Sequence, residues 1–326
     1  MSIYHWGIIG PGKIAKKFAD TINYVEGATL QAIASRDPEK AKTFAETYGA
    51  KKYYGSYEEL VKDPEVDAVY IATPHPFHCK QAILCLDNKK AVLCEKPMAL
   101  AEKEVREMQD AARRNNTFLM EAMWSRFLPA TLKVDELITE GKIGTVKYVR
   151  ADFGFSAPLD PEGRLYNIHL GGGSLLDIGV YNLFLCQFLL GEPKQIKSMA
   201  RLADSGADIN CQTMFSYADG SIAQTTSMID CQLPITAEIA GTEGIIYMNN
   251  PWYRTHSLVL HQKDQEPVKY FVPHEYNGFE YQVREVMNCL DNGLIESSAM
   301  PFEFTLALSR TMDIIRNQCG IAYPTV

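Results

Sequence analysis

The sequence predicts a two-domain protein: an α/β domain with a doubly wound parallel sheet, then an α+β domain with a mainly antiparallel open sheet and helices on one face. Three observations predict this. The chain has 326 residues, 46% of them hydrophobic, enough to bury two cores. Strand and helix patterns alternate up to about residue 122, whereas strand patterns follow one another later. We therefore expect domains at 1–122 and 123–326.

The first predicted domain contains five strand patterns separated by helix patterns. The strands are predicted at 3–9, 29–35, 67–72, 90–94 and 117–121, and the helices at 12–24, 38–48, 56–62, 77–87 and 101–115. Asp37 is a typical N-cap and Pro38 suits the first position of a helix, so the second helix has a clear start. Strands that alternate with helices predict a parallel sheet with helices on both faces.

The second predicted domain is rich in consecutive strands. Its strands are predicted at 146–154, 209–217, 221–229, 235–240, 244–248, 257–262 and 268–272, and its helices near 129–140, 174–190, 278–292 and 302–317. Asp219-Gly220 is a typical hairpin turn. Because helices cover one face of such a sheet, the other face can pair with a second subunit. We expect a homodimer, or a higher homo-oligomer, through this sheet.

Composition argues against several classes of partner. The net charge of -8, without a run of Lys or Arg, argues against nucleic acid. The longest apolar run, 183–190, contains Gln187 and is too short for a membrane span. The eight cysteines form no C-x-x-C pair, and the chain enters its first strand without a signal-peptide pattern, which predicts reduced thiols and a cytoplasmic location. No cluster of His, Cys and Asp has the spacing of metal ligands, so we expect no metal.

A glycine-rich turn connects the first strand to the first helix. Gly10, Gly12 and Ala15 form the pattern G-x-G-x-x-A. Gly10 permits a tight turn, Gly12 lets the backbone approach a pyrophosphate, and Ala15 lets the helix pack closely on the strand. The helix N-terminus offers free N–H groups to the phosphates. The pattern predicts a Rossmann-type dinucleotide site; the alternative is a plain strand-to-helix turn. The predicted cofactor-binding residues here are Gly10, Pro11, Gly12, Lys13 and Ile14.

The end of the second strand indicates which dinucleotide binds. NAD sites usually carry an acidic residue there, which binds the ribose hydroxyls. Here the strand ends in Ser35, Arg36 and Asp37. Arg36 can pair with a 2′-phosphate and Ser35 can donate a hydrogen bond, which favours NADP over NAD. Two alternatives stay open: Arg36 as a surface charge, and Asp37 as the ribose-binding acid rather than the helix cap.

Three residues outside the glycine turn are candidates for chemistry. Lys96 directly follows a buried strand, and open α/β sheets bind ligands at the carboxyl ends of their strands. Asp177 and Tyr181 lie four residues apart on a predicted helix that follows three consecutive glycines, so they share one face. The alternatives are a solvated lysine, an aspartate that interacts with the helix dipole, and a tyrosine in the core.

Together these motifs resemble the Gfo/Idh/MocA family of NAD(P)-dependent oxidoreductases over nearly the whole chain. The family's E-K-P is Glu95-Lys96-Pro97. Its D-x-G-x-H corresponds to Asp177-Ile178-Gly179-Val180-Tyr181, in which tyrosine replaces the usual histidine. That tyrosine and the run Glu121-Ala122-Met123-Trp124-Ser125-Arg126-Phe127 are similar to the branch that contains dihydrodiol dehydrogenases and NADP-dependent D-xylose 1-dehydrogenases. The resemblance implies hydride transfer between nicotinamide and a hydroxyl-bearing carbon of a cyclic sugar or vicinal diol.

The resemblance also implies roles for single residues. Lys96 would be the acid/base, Tyr181 would hydrogen-bond the same hydroxyl or carry the proton itself, and Asp177 would hold a further hydroxyl. The implied cofactor contacts are Thr73, Pro74, His75, His78, Glu95, Lys96 and Arg164. The implied walls of the substrate pocket are Trp124, Phe153 and Phe279, together with Asp177 and Tyr181. For His78 the alternative is a residue that braces the loop, and for the three aromatic residues it is ordinary core. The Lys96–Pro97 bond is expected to be cis.

Two other functions stay open. One is a non-catalytic regulator on the same fold that senses a dinucleotide and a sugar. The other is an NAD-dependent glycosidase that uses transient oxidation. A regulator would lack the proton-transfer residue, so the presence of Lys96, Asp177 and Tyr181 favours the dehydrogenase.

Overall fold

The computed structural model describes residues 2–324, which form two compact units. The first unit contains the chain up to Trp124 together with Glu275–Leu306. The second contains Ser125–His274 and the chain from Ala307 onward.

The first unit is built on a parallel sheet of six strands. The strands are β1 (Tyr4–Ile9), β2 (Ala28–Ala34), β3 (Lys52–Tyr54), β4 (Ala68–Ile71), β5 (Ala91–Glu95) and β6 (Leu119–Ala122). Their order is β3-β2-β1-β4-β5-β6, and every neighbouring pair is parallel. This order reverses at β1, as in dinucleotide-binding folds, and places the turns after β1, β4 and β5 at one edge. The predicted doubly wound parallel sheet is confirmed, although the three-residue β3 was too short to predict.

The predicted helices of both units are present, with small shifts at their ends. They are α1 (Lys13–Tyr24), α2 (Pro38–Tyr48), α3 (Tyr57–Lys62), α4 (His78–Asp87), α5 (Glu102–Asn115), α6 (Pro129–Thr139), α7 (Val180–Leu190), α8 (Glu280–Asp291) and α9 (Phe302–Cys319). The start of α2 is as predicted: Asp37 Oδ1 accepts from the Lys40 N–H at 3.3 Å. Gly49 ends the helix at φ +77°, a conformation that favours glycine.

Residues 275–306 pack with the first unit, although the sequence analysis placed them in the second domain. Tyr276 stacks on Tyr24 with ring centroids 4.4 Å apart. Asn277 Oδ1 accepts from the Thr21 hydroxyl at 3.0 Å. Such contacts join segments more than 250 residues apart and leave no periodic pattern in the sequence, so chain order alone could not reveal them. The domain ranges 1–122 and 123–326 stay a prediction.

The second unit contains an eight-stranded open sheet. Its strands are β7 (Val146–Gly154), β8 (Gln195–Leu202), β9 (Asp208–Ser216), β10 (Ile222–Met228), β11 (Ala237–Gly241), β12 (Gly244–Met248), β13 (Ser257–Gln262) and β14 (Val268–Phe271). The order is β14-β13-β12-β11-β7-β10-β9-β8. Only β7 and β10 pair in parallel, which confirms the mainly antiparallel sheet. The predicted hairpin turn is present, with Gly220 at φ +81°; β8 was not predicted.

The helix α7 is the buried centre of the second unit. Its residues from Val180 to Gln187 are all buried. The turn before it, Leu175–Gly179, is π-helical, whereas the sequence predicted one continuous helix over 174–190. Within residues 2–324, the stretch 168–190 is the one long and apolar enough to cross a membrane, and 83% of its apolar window is buried inside the protein. That burial is typical of a core helix.

Candidate active site

The turn after β1 has the shape that a dinucleotide pyrophosphate requires. Gly10 has φ +92°, and a Cβ there would lie 2.8 Å from Cγ2 of Thr73, so only glycine fits. A Cβ on Gly12 would meet nothing closer than the Ala72 oxygen at 3.8 Å, so its backbone is open to a ligand. Gly12 also caps α1 without a side-chain bond to the first N–H groups. These features fit an anion at the N-terminus of α1.

The flanking residues of this turn differ in exposure. Pro11 is half-buried, whereas Lys13 and Ile14 are exposed on the first turn of α1. Ala15 is fully buried, which matches its predicted role in close packing of helix on strand.

The end of β2 distinguishes the roles of its polar residues. Ser35 is buried, and its hydroxyl oxygen accepts from the Asp37 N–H at 3.1 Å. Asp37 caps α2, so the structure confirms the interpretation of this residue as the helix N-cap. Arg36 is exposed, and its guanidinium carbon lies 5.5 Å from the centre of the Phe77 ring. The guanidinium also hydrogen-bonds the Tyr57 side chain, and its binding of a 2′-phosphate stays a prediction.

The turn after β4 carries the second group of predicted cofactor contacts. The Thr73 hydroxyl donates to Gln81 Oε1 at 2.6 Å. Pro74 precedes a short 3-10 helix, His75–Phe77. His75 is buried, and its ring meets that of His78 edge to face at 5.7 Å.

His78 connects this turn to the turn that carries Lys96. It is fully buried, and its Nε2 lies 2.8 Å from the Thr73 carbonyl oxygen while its Nδ1 lies 3.1 Å from that of Pro97. Burial lowers the pKa of His78, whereas the carbonyl oxygens act in the opposite direction. His78 therefore braces the loop, as the alternative interpretation held; its cofactor contact stays a prediction.

Lys96 lies at the carboxyl end of β5, half-buried. The Lys96–Pro97 bond is cis, as predicted. Glu95 is buried; its carboxylate accepts from the Tyr70 hydroxyl and, at 3.3 Å, from the Lys96 N–H. Burial raises the pKa of Glu95, and the nearby charges of Lys96 and Lys17 lower it. The first unit thus brings the glycine turn and the candidate acid/base to one edge of its sheet.

Trp124 and Phe279, predicted as pocket walls, enclose a charged side chain. Their rings pack edge to face with centroids 4.9 Å apart, and both are buried. The Lys17 ammonium lies 3.9 Å from the Trp124 centroid and 4.1 Å from that of Phe279. Both distances are typical of cation–π contacts. Lys17 was not predicted, because its position in α1 is that of an ordinary helix lysine.

Asp177 and Arg164 form an ion pair in the second unit. Arg164 Nη1 donates to Asp177 Oδ1 at 2.8 Å, and the Asp177 side chain is only 11% exposed. The contact of Arg164 with the cofactor stays a prediction. The structure shows instead that Arg164 makes a charge-assisted hydrogen bond to the Asp177 carboxylate.

Tyr181 belongs to an aromatic cluster with Phe153 and Tyr253. Tyr253 stacks on Phe153 with centroids 4.4 Å apart, and its ring centre lies 5.2 Å from that of Tyr181. Phe153 and Tyr181 are buried, while Tyr253 is half-buried. The cluster supplies an apolar wall with phenol groups, as small-ligand sites often do. Tyr253 was missed, because it lies in a loop without a motif.

Asp208 fixes the glycine-rich bend that precedes Asp177. It is fully buried on β9, and its Oδ2 accepts from the Ser174 hydroxyl and the Leu175 N–H, both at 2.7 Å. A Cβ on Gly173, at φ +127°, would lie 2.1 Å from Asp208 Oδ1. Burial raises the pKa of Asp208 to about 6. Asp208 was also missed in the sequence, since nothing there links it to the bend.

In the part of the chain that the structure describes, no group of three or more His, Cys, Asp or Glu side chains could hold a metal ion. The expected absence of a metal stays a prediction.

The strand order and the glycine turn at the N-terminus of α1 define a dinucleotide-binding α/β protein, and Lys96 lies at the same edge of the sheet. Comparison with known families gives the same class. Residues 4–123 match the family model described as the oxidoreductase family with an NAD-binding Rossmann fold, and residues 131–247 match the GFO/IDH/MocA C-terminal domain. The chain belongs to the Gfo/Idh/MocA family of oxidoreductases, which confirms the resemblance seen in the sequence.

Similar proteins cover the whole chain. A trans-1,2-dihydrobenzene-1,2-diol dehydrogenase from Danio rerio is 40% identical, with 98% of this chain and 97% of the relative covered. The protein of that name from Homo sapiens is 35% identical, with 98% of each covered. Among solved structures, aldose-aldose oxidoreductase from Caulobacter crescentus has a TM-score of 0.89 at 25% identity, with 98% of each chain covered. A 3-ketoreductase from Actinomadura kijaniata, in complex with NADP, also has a TM-score of 0.89, at 24% identity and the same coverage.

Proposed function

We propose that this protein is an NADP-dependent dehydrogenase that oxidises a hydroxyl-bearing carbon of a cyclic sugar or vicinal diol. The observation that carries the proposal is the position of Lys96, on the turn after β5 at the same sheet edge as the open glycine turn after β1. The names of the relatives, dihydrodiol dehydrogenases and an aldose oxidoreductase, support this substrate class. The reverse reduction uses the same groups.

In this proposal Lys96 removes the proton from the reacting hydroxyl and returns it in reduction. A bound nicotinamide supplies the hydride acceptor. Glu95 holds the Lys96 backbone N–H, and the residues of the turn after β1, from Gly10 to Ile14, hold the pyrophosphate. The turn after β4, with Thr73, Pro74 and His75, lines the ribose and nicotinamide end.

Asp177 and Tyr181 bind hydroxyl groups of the substrate in this proposal. The Asp177 carboxylate, which accepts from Arg164 at 2.8 Å, has further lone pairs that can accept hydrogen bonds from substrate hydroxyls. The Tyr181 phenol can donate to a hydroxyl oxygen or act in place of Lys96 as the proton carrier. The rings of Phe153 and Tyr253 beside Tyr181 favour a substrate with an apolar face, such as a pyranose or a cyclohexadiene diol.

Spectrophotometry with a small panel of compounds tests the function. The protein is incubated with NADP or NAD and D-xylose, D-glucose, myo-inositol or a trans-dihydrodiol, and absorbance of the reduced nicotinamide is followed. We expect turnover with NADP and at least one compound, and NMR of the product should show a lactone or an oxidised diol. If the cofactor binds but no compound on the panel is oxidised, the proposed substrate class is wrong.

Replacing Arg36 with alanine should weaken binding of NADP much more than binding of NAD. A charge-assisted pair with the 2′-phosphate contributes about 2 kcal/mol, so the Kd for NADP should rise about 30-fold. Fluorescence titration with each reduced cofactor measures both constants. Lys42→Ala, which removes another exposed cation from α2, is the control and should change neither. Equal losses for the two cofactors in Arg36→Ala would mean that Arg36 does not bind the 2′-phosphate.

The open face of the second sheet is the proposed dimer interface. Met199 on β8 and Met214 on β9 are 74% and 62% exposed, and Ile222 on β10 is 46% exposed. Apolar side chains on neighbouring strands favour pairing with an identical face.

Met214→Arg should therefore weaken the dimer about 100-fold in Kd, because it buries a charge at the interface. Analytical ultracentrifugation measures the dissociation constant. Leu159→Arg is the matched control, since Leu159 is 71% exposed but lies outside the sheet. A wild-type protein that sediments as a monomer at micromolar concentration would contradict the interface.

The free thiols at all eight cysteines support the further proposal of a cytoplasmic location.

A further inference from the structure

The turn Lys96–Pro97–Met98, here called the lysine turn, is held by buried side chains at each residue. Glu95 accepts from the N–H of Lys96, and His78 Nδ1 lies at the carbonyl oxygen of Pro97. At Met98, the N–H donates to Glu121 Oε1 at 2.9 Å, and the Cys94 thiol lies 3.7 Å from the carbonyl oxygen. These side chains come from α4, β5 and β6. The lysine turn is therefore fixed by packing from outside as well as by its own strand.

Glu121 stands out in this arrangement because its burial is costly. It lies on β6 opposite Cys94 of β5 and is 1% exposed. Its Oε2 has no hydrogen-bond partner among the residues that the structure describes. Burial raises the pKa of Glu121 to about 7, and the charge of Lys96 lowers it. An apolar side chain of the same length would avoid this desolvation cost but would leave the buried Met98 N–H without its acceptor, so the carboxyl group has a defined partner in the lysine turn.

We propose that Glu121 is a positioning residue: by accepting the Met98 N–H, it fixes the lysine turn and thereby the direction in which Lys96 presents its amine. This inference rests on the proposed function of Lys96 as acid/base. Glu121 acts through the backbone of the turn and does not itself transfer a proton. Its hydrogen bond from the Met98 N–H holds the turn one residue beyond the Pro97 carbonyl oxygen that His78 contacts, and the Thr305 side chain also hydrogen-bonds the Glu121 carboxyl group.

Variants of Glu121 separate its acceptor from its charge. Glu121→Met removes the acceptor, and we expect kcat to fall about 100-fold, because a displacement of about 1 Å has that effect on catalysis. KM and the Kd for NADP should stay close to wild type. Glu121→Gln keeps an acceptor for Met98 and should restore most of kcat. Glu121→Asp shortens the side chain and should give an intermediate kcat, which also serves if Glu121→Met does not fold.

Gln109→Met is the matched control for loss of a buried polar contact. Gln109 is also 1% exposed in the first unit, and its amide donates to the Phe302 carbonyl oxygen at 2.8 Å. We expect this variant to lower thermal stability without changing kcat. Wild-type kcat in folded Glu121→Met or Glu121→Asp would overturn the inference. An equal loss in Glu121→Gln and Glu121→Met would overturn it too, because the charge and not the acceptor would then matter.

A second readout needs no substrate. The rate of acetylation of Lys96 by acetic anhydride, measured by peptide mass spectrometry against exposed Lys42, reports how the amine is presented. We expect a several-fold change in the acetylation rate of Lys96 in Glu121→Asp, which keeps the charge, and no change in Gln109→Met. Equal rates in wild type and Glu121→Asp would overturn the inference.

Lys96→Met distinguishes a failure of the proposed role of Lys96 from a failure of the proposed role of Glu121. If Lys96→Met keeps turnover, the proposed role of Lys96 as acid/base fails and this inference fails with it; if Lys96→Met is inactive while folded Glu121→Met has wild-type kcat, only the role of Glu121 fails.

Discussion

Lys96→Met should lower turnover by a factor of about 10³ or more, because loss of the acid/base removes proton transfer from the oxidation of the hydroxyl. Methionine is unbranched and close to lysine in length, and position 96 is half-buried, so the turn after β5 should keep its conformation. The Kd for NADP should stay near the wild-type value, since the glycine turn after β1 is untouched. Initial rates by absorbance and fluorescence titration with reduced cofactor measure the two quantities.

Lys103→Met is the matched control, because the Lys103 side chain is 87% exposed on α5 and pairs with Glu107 at 3.8 Å. It should leave both quantities unchanged. Turnover above a few percent of wild type in Lys96→Met would show that another group moves the proton. Tyr181→Phe then identifies that group: an inactive Tyr181→Phe beside an active Lys96→Met assigns the proton to the phenol.

Gly173→Ala should destabilise the protein by about 4 kcal/mol or more. The new Cβ would lie 2.1 Å from Asp208 Oδ1 at a residue with φ +127°. Asp208 cannot withdraw without breaking its bonds to Ser174 and Leu175, which hold the start of the helical stretch with Asp177 and Tyr181. Urea denaturation, followed by circular dichroism, gives the free energy of unfolding.

Gly206→Ala separates the clash from the backbone strain. Gly206 has φ +87° in the same unit, but a Cβ there would have nothing within 4 Å. This variant should lose only about 1–2 kcal/mol, the cost of a left-handed conformation for a residue with a Cβ. Similar free energies of unfolding for the two variants would show that Asp208 does not fix the bend.

The parts of the fold that the sequence predicted are those with a local signal. Asp37 and Pro38 mark the start of α2, and Gly220 marks the hairpin, because caps and turns depend on neighbouring residues. Strands β3 and β8 escaped prediction: β3 has three residues, and half of β8 faces solvent and lacks an apolar run. The π-helical turn at Leu175–Gly179 also has no local signal, because the helix pattern in the sequence continues through it.

The residues of the candidate site also fall into two groups, those with a local signal in the sequence and those without one. Gly10, Lys96 and Tyr181 lie in motifs whose spacing is visible in the chain. Lys17 lies in an ordinary helix pattern, and Glu121 begins the run Glu121–Phe127 without a role that the run itself indicates; the contacts of both depend on neighbours brought together by folding. Burial of a polar group beside a motif cannot be read from one sequence, so these residues appear only in the structure.

Transfer of deuterium shows whether hydride moves from the hydroxyl-bearing carbon of a sugar or diol to the nicotinamide. The wild-type protein is incubated with NADP and D-xylose deuterated at C1, or with the panel compound that gives the highest rate, deuterated at the oxidised carbon. Mass spectrometry of the reduced cofactor should show one added deuterium. Reduced cofactor of natural mass, or no reduction by any panel compound while NADP binds, would contradict the account.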